Sequence, residues 1–181
     1  MLRIGIVGCG VVAGYGHGPV LRESEEFDLA AVFDPVPEAA EAFATRFGTA
    51  AFIDEDAFYN LDLDALVVAS PLGTHRHHVE RAAEAKWHVL CEKPIAPTEE
   101  DAVAMELAMA GTGRVFAVGF VYRHSPVTRV LLDWAHDGSI GEVRIARLSY
   151  LWALHGRYEN GSESPRWRGR MEEGGPLIDC G

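Results

Sequence analysis

The chain has 181 residues, 48% hydrophobic and 24% charged, which places it among globular proteins able to bury one substantial core. A formal net charge of −11 repels phosphate backbones and anionic lipid, so nucleic acid and membrane surfaces are poor partners and a small molecule is the default ligand. No apolar run reaches the roughly 20 residues of a bilayer span and no signal-like segment opens the chain, so the expected location is cytoplasmic.

In chain order, Leu2 to Val7 reads as a short apolar strand, followed by the turn Gly8-Cys9-Gly10 and a helix running up to Glu23. A second strand from Asp28 to Phe33 ends in Asp34, and Pro37 to Phe47 has helical composition closed by Gly48. The alternation continues with a strand at Ala65 to Ala69, a helix from about Thr74 to Ala85 and a strand at His88 to Cys91. A helix from Glu99 to Met109 and a strand at Val115 to Phe120 complete it. Strands separated by helix-length segments predict a doubly wound α/β fold: a parallel sheet with helices on both faces. After Phe120 the pattern changes to a helix at Ser125 to His136, a turn at Asp137-Gly138-Ser139 and an alternating strand from Glu142 to Trp152. The expected organisation is a Rossmann domain over 1–121 and the start of a second, α+β domain over 122–181, in which His155 to Gly175 is a loop. Cys9, Cys91 and Cys180 lack C-x-x-C spacing and read as reduced, small hydrophobes.

Gly8-x-Gly10-x-x-Ala13 lies between a strand and a helix, where a dinucleotide fingerprint belongs. Gly8 permits the tight turn, Gly10 lets backbone approach a pyrophosphate, Ala13 lets the helix pack close, and Val11 and Val12 open the helix that receives the phosphates. Asp34 ends the second strand, about 20 residues past the fingerprint, where an acid hydrogen-bonds ribose hydroxyls. Its charge opposes a 2′-phosphate, and Pro35 and Val36 bring no cation, so NAD is favoured over NADP. The first strand and turn alone also fit an S-adenosylmethionine-binding methyltransferase.

Later motifs narrow the choice. Ser70-Pro71 with His75, the string Val89-Leu90-Cys91-Glu92-Lys93-Pro94, Tyr122-Arg123, Ile140-Gly141-Glu142 and Glu173-Gly174-Gly175-Pro176-Leu177-Ile178-Asp179 together resemble the Gfo/Idh/MocA family of glucose-fructose oxidoreductase and inositol dehydrogenase. The resemblance implies a nicotinamide-dependent oxidoreductase acting on a secondary alcohol of a sugar, cyclitol or related polyol. It implies that Lys93 is an active-site lysine oriented by Glu92, that Asp179 contacts substrate, and that Ser70, Pro71, His75, Glu92, Lys93 and Arg123 border the cofactor. The family's proton-accepting histidine would fall two residues beyond Gly181, so the chain is expected to be truncated within the catalytic motif and to turn over little. It also lacks most of the sheet that commonly builds the family's oligomer, and a homo-oligomer is expected of a full-length form. Leu72 departs from the Asn common in the family, which places contacts to the nicotinamide ribose in doubt. Two other readings stay open: a non-catalytic dinucleotide-binding protein, and a relative that uses tightly held NAD for transient oxidation during glycoside cleavage.

His75 and His78 share a helix face, but no third ligand has supportive spacing, so no metal is assigned. The aromatic and basic residues between Trp152 and Arg170 read as a surface loop or a substrate contact rather than a nucleic-acid site.

Overall fold

A computed structural model describes residues 1–147 and 149. Six strands, β1 (Leu2–Val7), β2 (Phe27–Phe33), β3 (Ala50–Phe52), β4 (Ala65–Val68), β5 (His88–Cys91) and β6 (Phe116–Val118), form one sheet in the order β3-β2-β1-β4-β5-β6. Every pairing is parallel. This is the Rossmann order, with its topological switch between β1 and β4, the point at which such sheets receive ligands beyond their carboxyl ends.

Period-two alternation in the strands feeds a core on each face of the sheet. Ile6 and Val67 join Ala13, Phe43 and Phe47 on one side, beneath the fingerprint segment and α2 (Pro37–Phe47). Val7, Leu66 and Val68 join Phe58, Val79, Trp87 and Met105 on the other. That second face is covered by α3 (Glu55–Tyr59), α4 (His75–Glu84) and α5 (Glu99–Ala110). Gly48 ends α2 in the left-handed region, φ 72°, as its position predicts.

Four differences from the sequence reading have local causes. The helix after the fingerprint contains a π turn, Ala13–His17, before α1 (Gly18–Glu23). β3 and α3 give no sequence signal of their own, because three and five residues are too few for a period to register. Asp54 nonetheless caps α3, its carboxylate accepting the Ala57 N–H at 2.7 Å. The Val115–Phe120 strand is trimmed to Phe116–Val118, because Val121–His124 turns at once into a 3₁₀ segment. Finally, 142–147 are not in a strand and do not join the six-stranded sheet, and the rest of that expected strand, apart from residue 149, lies outside the described residues. The helix at Pro126–His136, α6, begins where expected, and none of its residues is buried.

Candidate functional site

The chemistry-bearing residues line up along the carboxyl edge of the sheet in strand order. Beyond β2, the Asp34 carboxylate accepts the Cys9 N–H at 2.9 Å through one oxygen and the Val36 N–H at 2.9 Å through the other. Asp34 therefore fastens the glycine turn to the end of β2, a role its position in sequence does not reveal. Each oxygen keeps a lone pair for a hydroxyl donor.

Beyond β1, Gly8 has φ +88°, and a Cβ there would lie 2.6 Å from the Ser70 backbone N and Cα. The tight turn expected of Gly8 is thus also a close approach between the β1 and β4 loops. Gly10 has no atom within 4 Å of its Cβ direction, and Val11 is 61% exposed. The N–H groups of this first helical turn have no acceptor within the helix. Open space over unsatisfied donors is what a pyrophosphate requires, so these residues fit a dinucleotide. Val12 is partly exposed, whereas Ala13 is fully buried against the sheet, in keeping with its expected packing role. Burial, with Asp34 nearby, pushes the Cys9 thiol up to about 12, and burial with Glu92 does the same for Cys91. Both are free thiols; Cys180 lies outside the described residues.

Beyond β4, the Thr74 hydroxyl lies 2.8 Å from both Ser70 Oγ and the Pro71 carbonyl, which steadies that loop. Two of the residues singled out in the sequence are buried here. His75 is only 2% exposed, with Nε2 3.0 Å from the Ser70 carbonyl and Nδ1 3.2 Å from the Ile95 carbonyl. It braces the β4 loop against the β5 loop. Burial lowers its pKa against the pull of those carbonyls, which favours the neutral ring. Leu72 is 2% exposed, so its side chain belongs to the core.

Beyond β5 come Glu92, Lys93 and a cis Lys93–Pro94 bond. Glu92 accepts a hydrogen bond from His17 Nε2–H at 2.8 Å and another from the Lys93 N–H at 3.2 Å. Burial pushes the Glu92 carboxyl up, but the His17 hydrogen bond and charge, with the Lys93 N–H and ammonium, outweigh it and hold the group below the usual carboxylate range. His17 is absent from the sequence reading because its partner is 75 residues away. Beyond β6, Lys93 joins Gly119, Phe120, Val121, Tyr122 and Arg123 around a cavity of 410 Å³. Two cations at an apolar hollow can hold an oxygen-rich ligand and stabilise negative charge that develops on it. Asp179 lies outside the described residues, as does the Trp152–Arg170 segment.

The histidines of α4 separate by role. His78 packs against Tyr59, whose hydroxyl lies 3.1 Å from His78 Nδ1, rather than joining His75. Glu55, His77 and His78 bring three donor atoms within 4.8 Å of one another, a grouping across two helices that spacing along one helix could not reveal. Glu55 Oε1 accepts from His77 at 2.6 Å and lies 3.5 Å from His78 Nδ1.

A profile of the oxidoreductase family described by its NAD-binding Rossmann fold, Gfo/Idh/MocA, matches residues 2–120. The chain belongs to this family. Among the chains it resembles is D-glucoside 3-dehydrogenase of Escherichia coli (strain K12), 32% identical over 189 residues, with 99% of this chain and 51% of that protein covered. The chain thus spans about half the length of the curated relatives it matches. A 3-ketoreductase from Actinomadura kijaniata, solved in complex with NADP, superposes with TM-score 0.71 at 28% identity, over 79% of this chain and 46% of that one. The dehydrogenase WlbA from Bordetella pertussis, solved with NADH and UDP-GlcNAcA, gives TM-score 0.71 at 28% identity, over 76% of this chain and 40% of that one. Structures of this type thus hold either form of nicotinamide dinucleotide, and NAD(P) binding by this Rossmann fold follows from family membership.

Proposed function

We propose that this chain is the dinucleotide-binding part, with the start of the substrate part, of an oxidoreductase acting on a secondary alcohol or ketone of a sugar, cyclitol or related polyol. The observation that carries the reading is Lys93 in the 410 Å³ cavity, one loop along the sheet edge from the Gly8–Ser70 contact. Gly8, Gly10, Val11, Val12 and Ala13 would receive the pyrophosphate, with Asp34 holding the adenosine ribose and Ser70 and Pro71 bordering the nicotinamide half. Bound there, a nicotinamide supplies the two-electron exchange with carbon. Lys93 would hold the substrate oxygen and stabilise its negative charge, Glu92 would orient Lys93, and Arg123 would bind further substrate or cofactor oxygens. Asp179 is proposed to position substrate. The boundary between the two parts is placed at residue 121, where the alternation of strand and helix stops. Relatives named for glucoside, nucleotide-linked sugar and inositol substrates support a polyhydroxylated substrate class.

NAD is the preferred form, because the Asp34 carboxylate would face a 2′-phosphate with neutral Pro35 and Val36 beside it. Fluorescence titration tests this. NADH should bind saturably and more tightly than NADPH, and Asp34→Ala should weaken NADH by about tenfold, roughly the loss of one charge-assisted hydrogen bond. Cyclitols or sugars should then change the bound NADH emission in the wild type and not in Lys93→Met. Folded protein that binds neither dinucleotide would sink the proposal.

A further inference from the structure

We propose that His17 is a positioning residue of this site: by donating its Nε2–H to Glu92 across the end of β4, it fixes the β5 loop and so sets where Lys93 stands in the 410 Å³ cavity. The inference builds on the reading of Lys93 given above.

Four observations converge on His17. The two side chains are 19% and 16% exposed, so bulk water and salt screen the pair weakly. Glu92 uses its other oxygen for the Lys93 N–H, which leaves the carboxylate a single orientation. A Cβ on Gly119 would lie 3.4 Å from Glu92 Oε1, so the carboxylate is wedged between the fingerprint segment and the first residue of the cavity wall. Lastly, the Ala13–His17 π turn, closed by the Gly18 N–H on the Ala13 carbonyl, puts one more residue into the turn than an α-helix holds. An extra residue rotates everything after it by about 100° about the helix axis, and π turns concentrate at functional sites. Gly18 anchors the end of that turn: a Cβ there would lie 2.6 Å from Phe47 Cζ, so the backbone beside His17 sits directly on the α2 ring.

The chemistry explains why a donor is needed at this point. The His17 hydrogen bond holds one Glu92 oxygen toward the fingerprint segment while the other accepts the Lys93 N–H, so the carboxylate fixes the backbone from which the Lys93 side chain starts. The same bond links the loop proposed to carry pyrophosphate to the loop that carries the lysine.

The test is peptide-resolved amide hydrogen exchange on the free 181-residue chain, with NADH emission as a second readout. Residues 88–95 should exchange about tenfold faster in His17→Ala and in Glu92→Gln, with no further gain in the double variant, while peptides from β1 and β4 stay protected. His17→Gln, whose amide can still donate to Glu92, should restore the wild-type rate. In NADH titrations, His17→Ala should shift the midpoint by less than about threefold yet reduce the emission gained per bound nicotinamide, which loss of packing alone would not do. Unchanged exchange of 88–95 in both His17→Ala and Glu92→Gln, or failure of His17→Gln to restore it, would overturn the proposal. If His17→Ala unfolds, Glu92→Gln and His17→Gln carry the same comparison. Loop acceleration in a chain that binds no NADH would leave the His17 brace standing and count against the dinucleotide reading alone.

Discussion

Gly8→Ala should cost this protein much of its stability, whereas Gly10→Ala, two residues on, should leave the fold intact and damage only ligand binding. At Gly8 the new methyl group meets two penalties. The backbone sits at φ +88°, where an L residue costs about 1–3 kcal/mol. Its Cβ would also lie 2.6 Å from the Ser70 N and Cα, and overpacking of this kind costs about 1–3 kcal/mol more. The obstacle is main chain, which cannot rotate aside as a side chain does. A combined loss of about 4 kcal/mol consumes much of the 5–15 kcal/mol that holds a typical domain folded and should lower Tm by about 10 °C or more. Gly10 has nothing within 4 Å in the Cβ direction, so Gly10→Ala should melt within about 2 °C of wild type and lose NADH affinity by about tenfold or more. Thermal melts and NADH titrations on the two variants decide the matter. A Gly8→Ala melt matching wild type would show that the β1 and β4 loops can part without cost, and undiminished NADH binding by Gly10→Ala would remove the phosphate from this turn.

Acid should destabilise the chain at pH values where ordinary carboxylates are still ionised, and His78 should be the main cause. Burial, followed by the charges of His77, His75 and Arg81, lowers the His78 pKa to about 3. Glu55 approaches His78 Nδ1 to 3.5 Å, but its same oxygen already accepts from His77 at 2.6 Å, so it does not offset the burial. In the unfolded chain the imidazole returns to a pKa of about 6.5. Between about 6.5 and 3 the unfolded state therefore binds one proton more than the folded state, and folding weakens as pH falls by up to about 1.4 kcal/mol per pH unit. His75, also lowered by burial, acts in the same direction. Glu92 is held below its ordinary value, so its contribution is present above the usual carboxylate range and is lost only at lower pH. Urea unfolding at pH 7, 6, 5 and 4.5 should show this slope, and His78→Gln, which cannot titrate, should flatten it by about half. Parallel curves for the two proteins would show that His78 takes up its proton in the folded state without penalty.

The parts of the fold legible in sequence are those whose cause is local. Gly8 and Gly10 follow an apolar strand, and Gly48 stops a helix. Each needs only a few neighbouring residues to be read. Lys93 and Arg123 emerge as site candidates through motif resemblance, and folding brings both to one cavity. What could not be read depends on partners far along the chain. That His75 rests between two carbonyls, that Asp34 accepts the Cys9 amide, and that His17 meets Glu92 all follow from how three loops meet at one edge of the sheet. The one local hint at His17 was the run Ala13-Gly14-Tyr15-Gly16-His17-Gly18, too rich in glycine for an ordinary helix.

The strand order β3-β2-β1-β4-β5-β6 also bears on how such a protein can diversify. Asp34 follows β2 while the Gly119–Arg123 wall follows β6, four strand spacings away, or about 19 Å at about 4.8 Å per step. Substitutions that far apart combine almost additively. On the function proposed above, changes at the β6 end would retune which polyol is accepted while the adenosine end keeps its grip, and the preference between the two dinucleotides would drift without altering the polyol. A single scaffold can explore the two traits as separate variables.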